Sequence, residues 1–366
     1  MRDFGGLVRR TPEEVVRPAT DREAAAAARR GAVPRGRGHS TGGQSLTGGV
    51  SLDTGGLAGV HAIGADRVSV GAGATWRDVL AATLPHGLMP PVLTDLLDLT
   101  VGGTLSAGGV GGTSHVHGTQ ACNTLDLDVA TRDGEIVRCS PAVNRPLFDA
   151  VRAGMGRHGV ITRATLRLVP APRHVLSCKA ACRSAAELLR LQAGVRADHL
   201  SGQARPAEAG WRYEFRAVLY EGEAPPPGLP AGAEVEVERL PFAEFADRMR
   251  PDVEELIVLG EWDRPHPWAM AFLPGARAAA FVERTLAAMG PADLGLSGLV
   301  LIKALKVTGT PGLRAPAAPV LLGLLRTASL GYAPPEDMVT ANERFTAEAA
   351  AAGGVPYPAV PYPGAP

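Results

Sequence analysis

Lysine is nearly absent from this chain of 366 residues: only Lys179, Lys303 and Lys306 occur, and arginine supplies the other cations. Lys+Arg and Asp+Glu both total 37, so no net charge draws the protein toward nucleic acid or an anionic membrane, and no basic run forms a phosphate-tracking groove. Small-molecule chemistry is the class this leaves. Cysteine is scarce too. Cys122, Cys139, Cys178 and Cys182 make no disulfide framework at this length, and the Cys178/Cys182 pair is a poor zinc signature. A reducing compartment is the expectation. Long apolar runs are missing: residues 1–10 lack the core of a signal peptide, and nothing approaches the roughly 18 to 20 apolar residues of a membrane span. These absences predict a soluble cytoplasmic protein with no nucleic-acid or membrane partner.

What is present divides in two. Residues 13–173 are glycine-rich, with short Val/Ile/Leu runs at 68–70, 125–130 and 135–138 that read as strands between glycine turns. Helical pieces interrupt them at 21–30, behind Thr20 or Asp21 as cap, and at 76–84, behind Thr75. Near Pro170 and Pro172 the composition changes to longer helical segments such as 184–191 and 278–288, which places a domain boundary there. A proline-rich stretch at 224–230 reads as an exposed loop, and the proline-rich residues 357–366 read as extended coil. No internal repeat occurs.

Four segments could carry chemistry. In Arg35-Gly36-Arg37-Gly38-His39-Ser40, followed by Gln44, alternate glycines let backbone approach a ligand, and successive amides form a nest suited to a pyrophosphate. On local grounds a tight loop with a surface histidine fits as well. Gly154-Met155-Gly156-Arg157-His158-Gly159 has dinucleotide-fingerprint spacing, but a helical segment precedes it and a strand-like one follows, the reverse of a Rossmann loop. Residues 94–106 place Asp95 a few residues before a glycine-rich turn. In an apolar setting desolvation would raise that carboxyl toward the range of a general base, while the plain alternative is a helix cap at Thr94 or Asp95. His115 and His117 would share one face of a strand but lack a third ligand, so ordinary hydrogen bonding is the better reading and no metal is expected.

Taken in order, these segments resemble the PCMH-type FAD-binding domain of the vanillyl-alcohol oxidase superfamily and, within it, the cytokinin dehydrogenases. RGRGHSTGGQ at 35–44 resembles the flavin-attachment loop. LTVGGTLSAGGVGG at 99–112, HGTQACNTLDLDVATRDGE at 117–135 and GMGRHGVITRATLRLVPAP at 154–172 resemble successive FAD-contacting elements. Trp211-Arg212-Tyr213 and Trp262-Asp263-Arg264-Pro265-His266-Pro267-Trp268 resemble the substrate domain.

The resemblance implies an α+β fold: a two-subdomain FAD-binding domain over 10–173, then an α+β substrate domain over 174–356 with an antiparallel sheet covered by helices. It implies FAD bonded through His39, with Gly36, Arg37, Gly38, Ser40, Gln44, Thr100, Ser106, Val110 and Val160 as further cofactor contacts. Asp95 falls on the catalytic acid, which takes a proton from a secondary amine, as on an N6-substituted adenine, while hydride leaves for flavin N5. The imine is then hydrolysed, and a quinone or O2 accepts the electrons. No cysteine precedes Gly102 where doubly attached relatives place a second link, so a single covalent bond is expected. Ser201, Trp268 and Met270 fall on the substrate pocket. Met270 stands where the family has a polar Asn, and Ser201 where it has a glutamate. These departures leave open an FAD-linked oxidase of specialised metabolism acting on an alcohol or other small molecule. The family's last segment, returning to the flavin domain, is expected to be missing after Tyr357, which adds a third reading, a noncatalytic flavin-binding remnant.

Overall fold

A computed structural model describes residues 1–208, 210–229 and 235–358. The chain opens with β1 (Glu14–Val16), α1 (Asp21–Arg29), β2 (Val33–Arg35) and β3 (Val50–Asp53), whose strands form a small parallel sheet in the order β1-β3-β2. Thr20 caps α1 by accepting the Glu23 amide, and the buried alanines Ala24, Ala25, Ala27 and Ala28 bring the helix close to its neighbours. Next come β4 (Val60–Ile63), β5 (Arg67–Gly71), α2 (Trp76–Thr83), β6 (Leu88–Met89), α3 (Val101–Ala107), α4 (Ser114–His117), β7 (Thr124–Ala130), β8 (Ile136–Cys139), α5 (Arg145–Val151) and β9 (Val160–Arg167). Strands β4-β5-β9-β7-β8 make an antiparallel sheet of five.

Two contacts fix α2 and α3 together. Thr75 and Asp78 close a capping box at the start of α2, and buried Trp76 donates its indole N–H to Thr104 Oγ1 at 2.9 Å. Gly102 lets α3 lie on the end of β5, since a Cβ there would meet the Ala72 Cβ at 2.8 Å.

The strand β10 (Val169–Pro170) pairs back to β6, and the largest sheet begins with β11 (His174–Cys182). It continues through α6 (Ala185–Gly194), β12 (His199–Ala207), β13 (Gly210–Tyr220), β14 (Val235–Pro241), α7 (Phe242–Ala246), α8 (Arg250–Val258), β15 (Ala269–Leu273), α9 (Gly275–Ala287), β16 (Leu299–Ala304), β17 (Val320–Leu325), α10 (Pro335–Ala351) and β18 (Val355–Pro356). Eight strands run in the order β14-β11-β13-β12-β16-β17-β15-β18, antiparallel throughout. Period-two burial in β13 puts Tyr213, Phe215 and Ala217 against α6 and α9, whereas β17 buries nearly all its length. The two sheets share a core: Val175, Val218, Phe242 and Phe245 pack with Val70, Trp76 and Leu127.

The architecture is α+β. The helices at 21–29 and 76–83, the strands within 124–139 and the helix at 185–194 lie where the sequence places them. Residues 224–229 form turn and coil, and Tyr357 and Pro358 follow β18, while residues 230 and 359–366 of the proline-rich segments lie outside the described residues. All four cysteines are free thiols. No helix among the described residues is long and apolar enough to cross a membrane.

Candidate active site

The loop joining β2 to β3 carries the first cluster. Its backbone can approach α3 only because residue 36 is glycine: a Cβ there would lie 2.2 Å from Thr100 Oγ1. Thr100 is the N-cap of α3 and accepts the Gly103 amide, and Gly38 sits at φ +74. Among the described residues, no amide from Gly36 to Thr41 donates a hydrogen bond within the chain. Such a run of open donors beside a helix cap suits an anionic ligand, so the loop fits the pyrophosphate of a dinucleotide cofactor. Ser106 and the loop after α5 complete the neighbourhood: the Ala153 amide donates to Leu105 O and the Met155 amide to Ser106 O, both at 2.9 Å. With α5 before it and β9 after it, the 154–159 glycine loop has the non-Rossmann context its flanks predict. Val160 starts β9.

Two other side chains of the loop bond within the chain, and a third is open to solvent. Ser40 Oγ donates to Asp3 Oδ2 at 2.9 Å, the Gln44 side-chain oxygen accepts the Gly42 amide at 2.9 Å, and Arg37 is exposed. Val110 packs in a cluster with Met270, Leu305 and Tyr357. His39 sits in an aromatic group, its ring 4.9 Å from Phe4 and 5.8 Å from Trp262, with Phe4 in turn 5.3 Å from Trp268. Burial pushes the imidazole down to about 4, with Arg37 adding to the effect, so it is neutral at pH 7.

Asp95 forms the second cluster, in the loop five residues before Thr100. Lys303 of β16 donates to Asp95 Oδ2 at 2.6 Å, and the Arg248 guanidinium, after α7, pairs with Oδ1. Burial alone would raise this carboxyl, but the Lys303 ammonium and the Arg248 guanidinium hold it well below the usual carboxylate range. The upward shift expected of an acid in this apolar segment is therefore corrected: two cations, Lys303 from β16 and Arg248 from the turn after α7, outweigh desolvation. The alternative of a helix cap at Thr94 or Asp95 also fails, because the helix starts at Val101 and Thr94 Oγ1 instead donates to Leu96 O. His199, buried and driven well below its ordinary value by desolvation and Arg248, stands near this pair with Nε2 unpartnered.

The remaining candidates are dispersed. Ser201 lies in β12 opposite Arg216, and no hydrogen bond joins it to Trp268 or Met270 among the described residues. His115 and His117 lie on a short helix, not a strand, and both His115 ring nitrogens face carbonyls, of Gly112 and Ala197. No cluster of three or more His, Cys, Asp or Glu side chains that could hold a metal ion occurs among the described residues.

Comparison with known proteins gives this geometry its context. The FAD binding domain family matches residues 12–140, and the family described as cytokinin dehydrogenase 1, FAD and cytokinin binding, matches residues 233–308. An uncharacterized oxidoreductase, ORF5 of the fasciation locus of Rhodococcoides fascians, is 36% identical, the alignment covering 97% of this chain and 86% of that protein. The chain belongs to the cytokinin dehydrogenase-like family of FAD-dependent oxidoreductases. Cytokinin dehydrogenase 7 of Oryza sativa subsp. japonica is 36% identical over 75% of this chain, and cytokinin dehydrogenase 5 of Arabidopsis thaliana 33% identical over 76%. The chain spans 64% and 63% of these two plant relatives, slightly less than two thirds of each. Family membership favours the cytokinin dehydrogenase-like oxidoreductase over the FAD-linked oxidase of specialised metabolism and over the noncatalytic remnant.

Sequence reasoning missed Arg248, Lys303, His199 and Phe4. Lys303 carried a usable signal: in a chain with three lysines, one stands inside the apolar run Leu299–Ala304, where an unpaired ammonium would be costly.

Proposed function

We propose that this chain oxidises a secondary amine, of the kind carried by an N6-substituted adenine, using FAD joined to His39. The observation that carries the reading is the ionised Asp95, held between Lys303 and Arg248 just upstream of the helix cap against which the glycine loop packs. Bound FAD supplies the hydride acceptor. The amides of Gly36–Thr41 would hold its pyrophosphate, and the neutral His39 imidazole offers a nucleophilic nitrogen for attachment.

Asp95 accepts a hydrogen bond from the substrate N–H and so fixes the adjacent carbon. As hydride leaves that carbon, positive charge grows on the nitrogen, and the carboxylate stabilises it more strongly than it does the neutral amine. Asp95 then takes the nitrogen's proton, leaving an imine that water splits to an amine and an aldehyde. Lys303 and Arg248 keep the carboxylate charged and oriented, at the expense of its basicity. Trp268, Met270 and Ser201 line the substrate side in this reading, with residues 10–173 as the cofactor domain and 174–356 as the substrate domain. A quinone or O2 takes the electrons onward.

The test is the absorbance of the purified protein near 450 nm before and after acid precipitation, followed by anaerobic N6-isopentenyladenine. Colour retained in the pellet and bleached in the native protein by the amine supports the reading. A flavin that washes out on precipitation removes the covalent link, and one that the amine leaves oxidised removes the substrate class.

A further inference from the structure

Residues 1–6 cross from the glycine loop to the 261–268 segment and bind both. On the loop side, the Phe4 amide donates to Gly38 O at 2.8 Å, the Gly5 amide to Ser40 O at 3.1 Å, and Asp3 Oδ2 accepts Ser40 Oγ and the Gly43 amide at 2.9 and 2.7 Å. On the other side, the His266 amide donates to Gly5 O at 2.9 Å, and Arg2 pairs with Asp263. The approach is tight enough to dictate sequence: a Cβ on Gly5 would lie 2.1 Å from Thr41 O. Asp3 is buried, with 3% of its surface exposed, so its carboxylate is a committed anchor.

This crossing delivers one ring to the reactive position. Phe4 stacks on His266 with centroids 3.9 Å apart and planes 14° from parallel, and its ring also meets His39 at 4.9 Å, Trp262 at 5.0 Å and Trp268 at 5.3 Å. Among the described residues the His39 ring meets the rings of Phe4 and Trp262 and makes no hydrogen bond. A hydrogen bond would fix the imidazole but occupy a nitrogen. Ring packing fixes its plane and leaves both nitrogens available.

We infer that Phe4 is a positioning residue for His39, holding the imidazole by ring contact in the orientation from which it bonds to the flavin. The inference rests on the covalent attachment proposed above. Attachment would form a bond from an imidazole nitrogen to the flavin 8α carbon and break one C–H bond there: the C–H and N–H hydrogens would leave as protons, and the two electrons would pass to the isoalloxazine and on to O2, giving hydrogen peroxide, so the mixing is done in air. Such a step needs a nucleophile in near-attack geometry, and an imidazole free to rotate loses rate without losing cofactor affinity.

The experiment follows covalent attachment in time, mixing full-length flavin-free protein with FAD and measuring acid-precipitable 450 nm absorbance. Phe4→Leu keeps the apolar bulk and removes the ring, Phe4→Ala removes both, and Phe4→Tyr restores the ring. Expected is noncovalent FAD retention close to wild type in Phe4→Leu with attachment slowed at least ten-fold, and a near wild-type rate in Phe4→Tyr. If Phe4→Ala does not fold, Phe4→Leu decides alone. Attachment at the wild-type rate in Phe4→Leu overturns the inference, because bulk alone then suffices. Wild-type protein without acid-stable flavin, or acid-stable flavin in His39→Ala, overturns the attachment reading itself and the inference with it, a result distinct from the first.

Discussion

Replacing Asp95 by Asn changes one charge at nearly constant shape, and the surroundings set two separate consequences. The first is kinetic. Without a carboxylate to take the amine proton, flavin reduction by N6-isopentenyladenine should slow by roughly 10²–10⁴-fold, the usual range for a lost general base. The second is thermodynamic. Lys303 is 3% exposed and Arg248 17%, so the amide leaves two poorly solvated cations without their shared counter-ion. Removing one partner of a buried pair costs about 3–5 kcal/mol, and because a third of the Asp95 side chain reaches solvent, the loss here should be about 2–3 kcal/mol. Urea unfolding of the flavin-free protein reads the second effect and stopped-flow absorbance at 450 nm the first. The double variant Asp95→Asn/Lys303→Met separates them, since removing one stranded cation should recover about 1–2 kcal/mol and none of the rate. A wild-type rate in Asp95→Asn takes Asp95 out of the mechanism. A double variant that regains the rate shows that the single variant failed through unpaired cations and not through a missing proton acceptor.

The same pair predicts an acid limit: the folded carboxyl lies below its unfolded value of 3.8, so its stabilisation is fully present above that value and is lost as pH falls toward the folded one. The stability gap between wild type and Asp95→Asn should therefore narrow below about pH 4 in urea titrations, and a constant gap would deny the ion pairs that role. His39→Ala should lose all acid-precipitable flavin. Because burial holds the His39 imidazole at about 4, the attachment rate in wild type should be flat from about pH 5 to 8, and an inflection near an ordinary histidine pKa of about 6.5 would contradict that burial. Gly36→Ala must push the loop off Thr100, an overpacking of about 1–3 kcal/mol that should weaken FAD binding by roughly ten- to a hundred-fold in flavin titrations. Gly48→Ala, which meets nothing within 4 Å, is the neutral control.

How much of the site can be read in the sequence depends on how local its causes are. The loop at 36–44 is a local feature, announced by glycines where a Cβ would collide, and it forms where the pattern puts it. The helix cap lies at Thr100 and not at Thr94 or Asp95, where the sequence offered it. Helix α1 and the strands β5, β7, β8 and β9 are legible for the same reason: caps, and apolar runs between glycine turns, act within a few residues. The charge state of Asp95 is different. Its partners stand 153 and 208 residues away, on the α7–α8 turn and on β16, and no window around residue 95 contains them. Local desolvation points one way and the distant cations the other, and the cations win because opposite charges in hydrogen-bonding contact outweigh partial burial. Phe4 was invisible on the same ground. Its neighbours come from residue 39 and from residues 262–268, so its surroundings exist only once the chain has brought those two segments together. Composition still held a hint. A lysine inside the apolar run 299–304 requires a partner, and a search for unpaired charges in such runs finds Lys303 from the sequence alone.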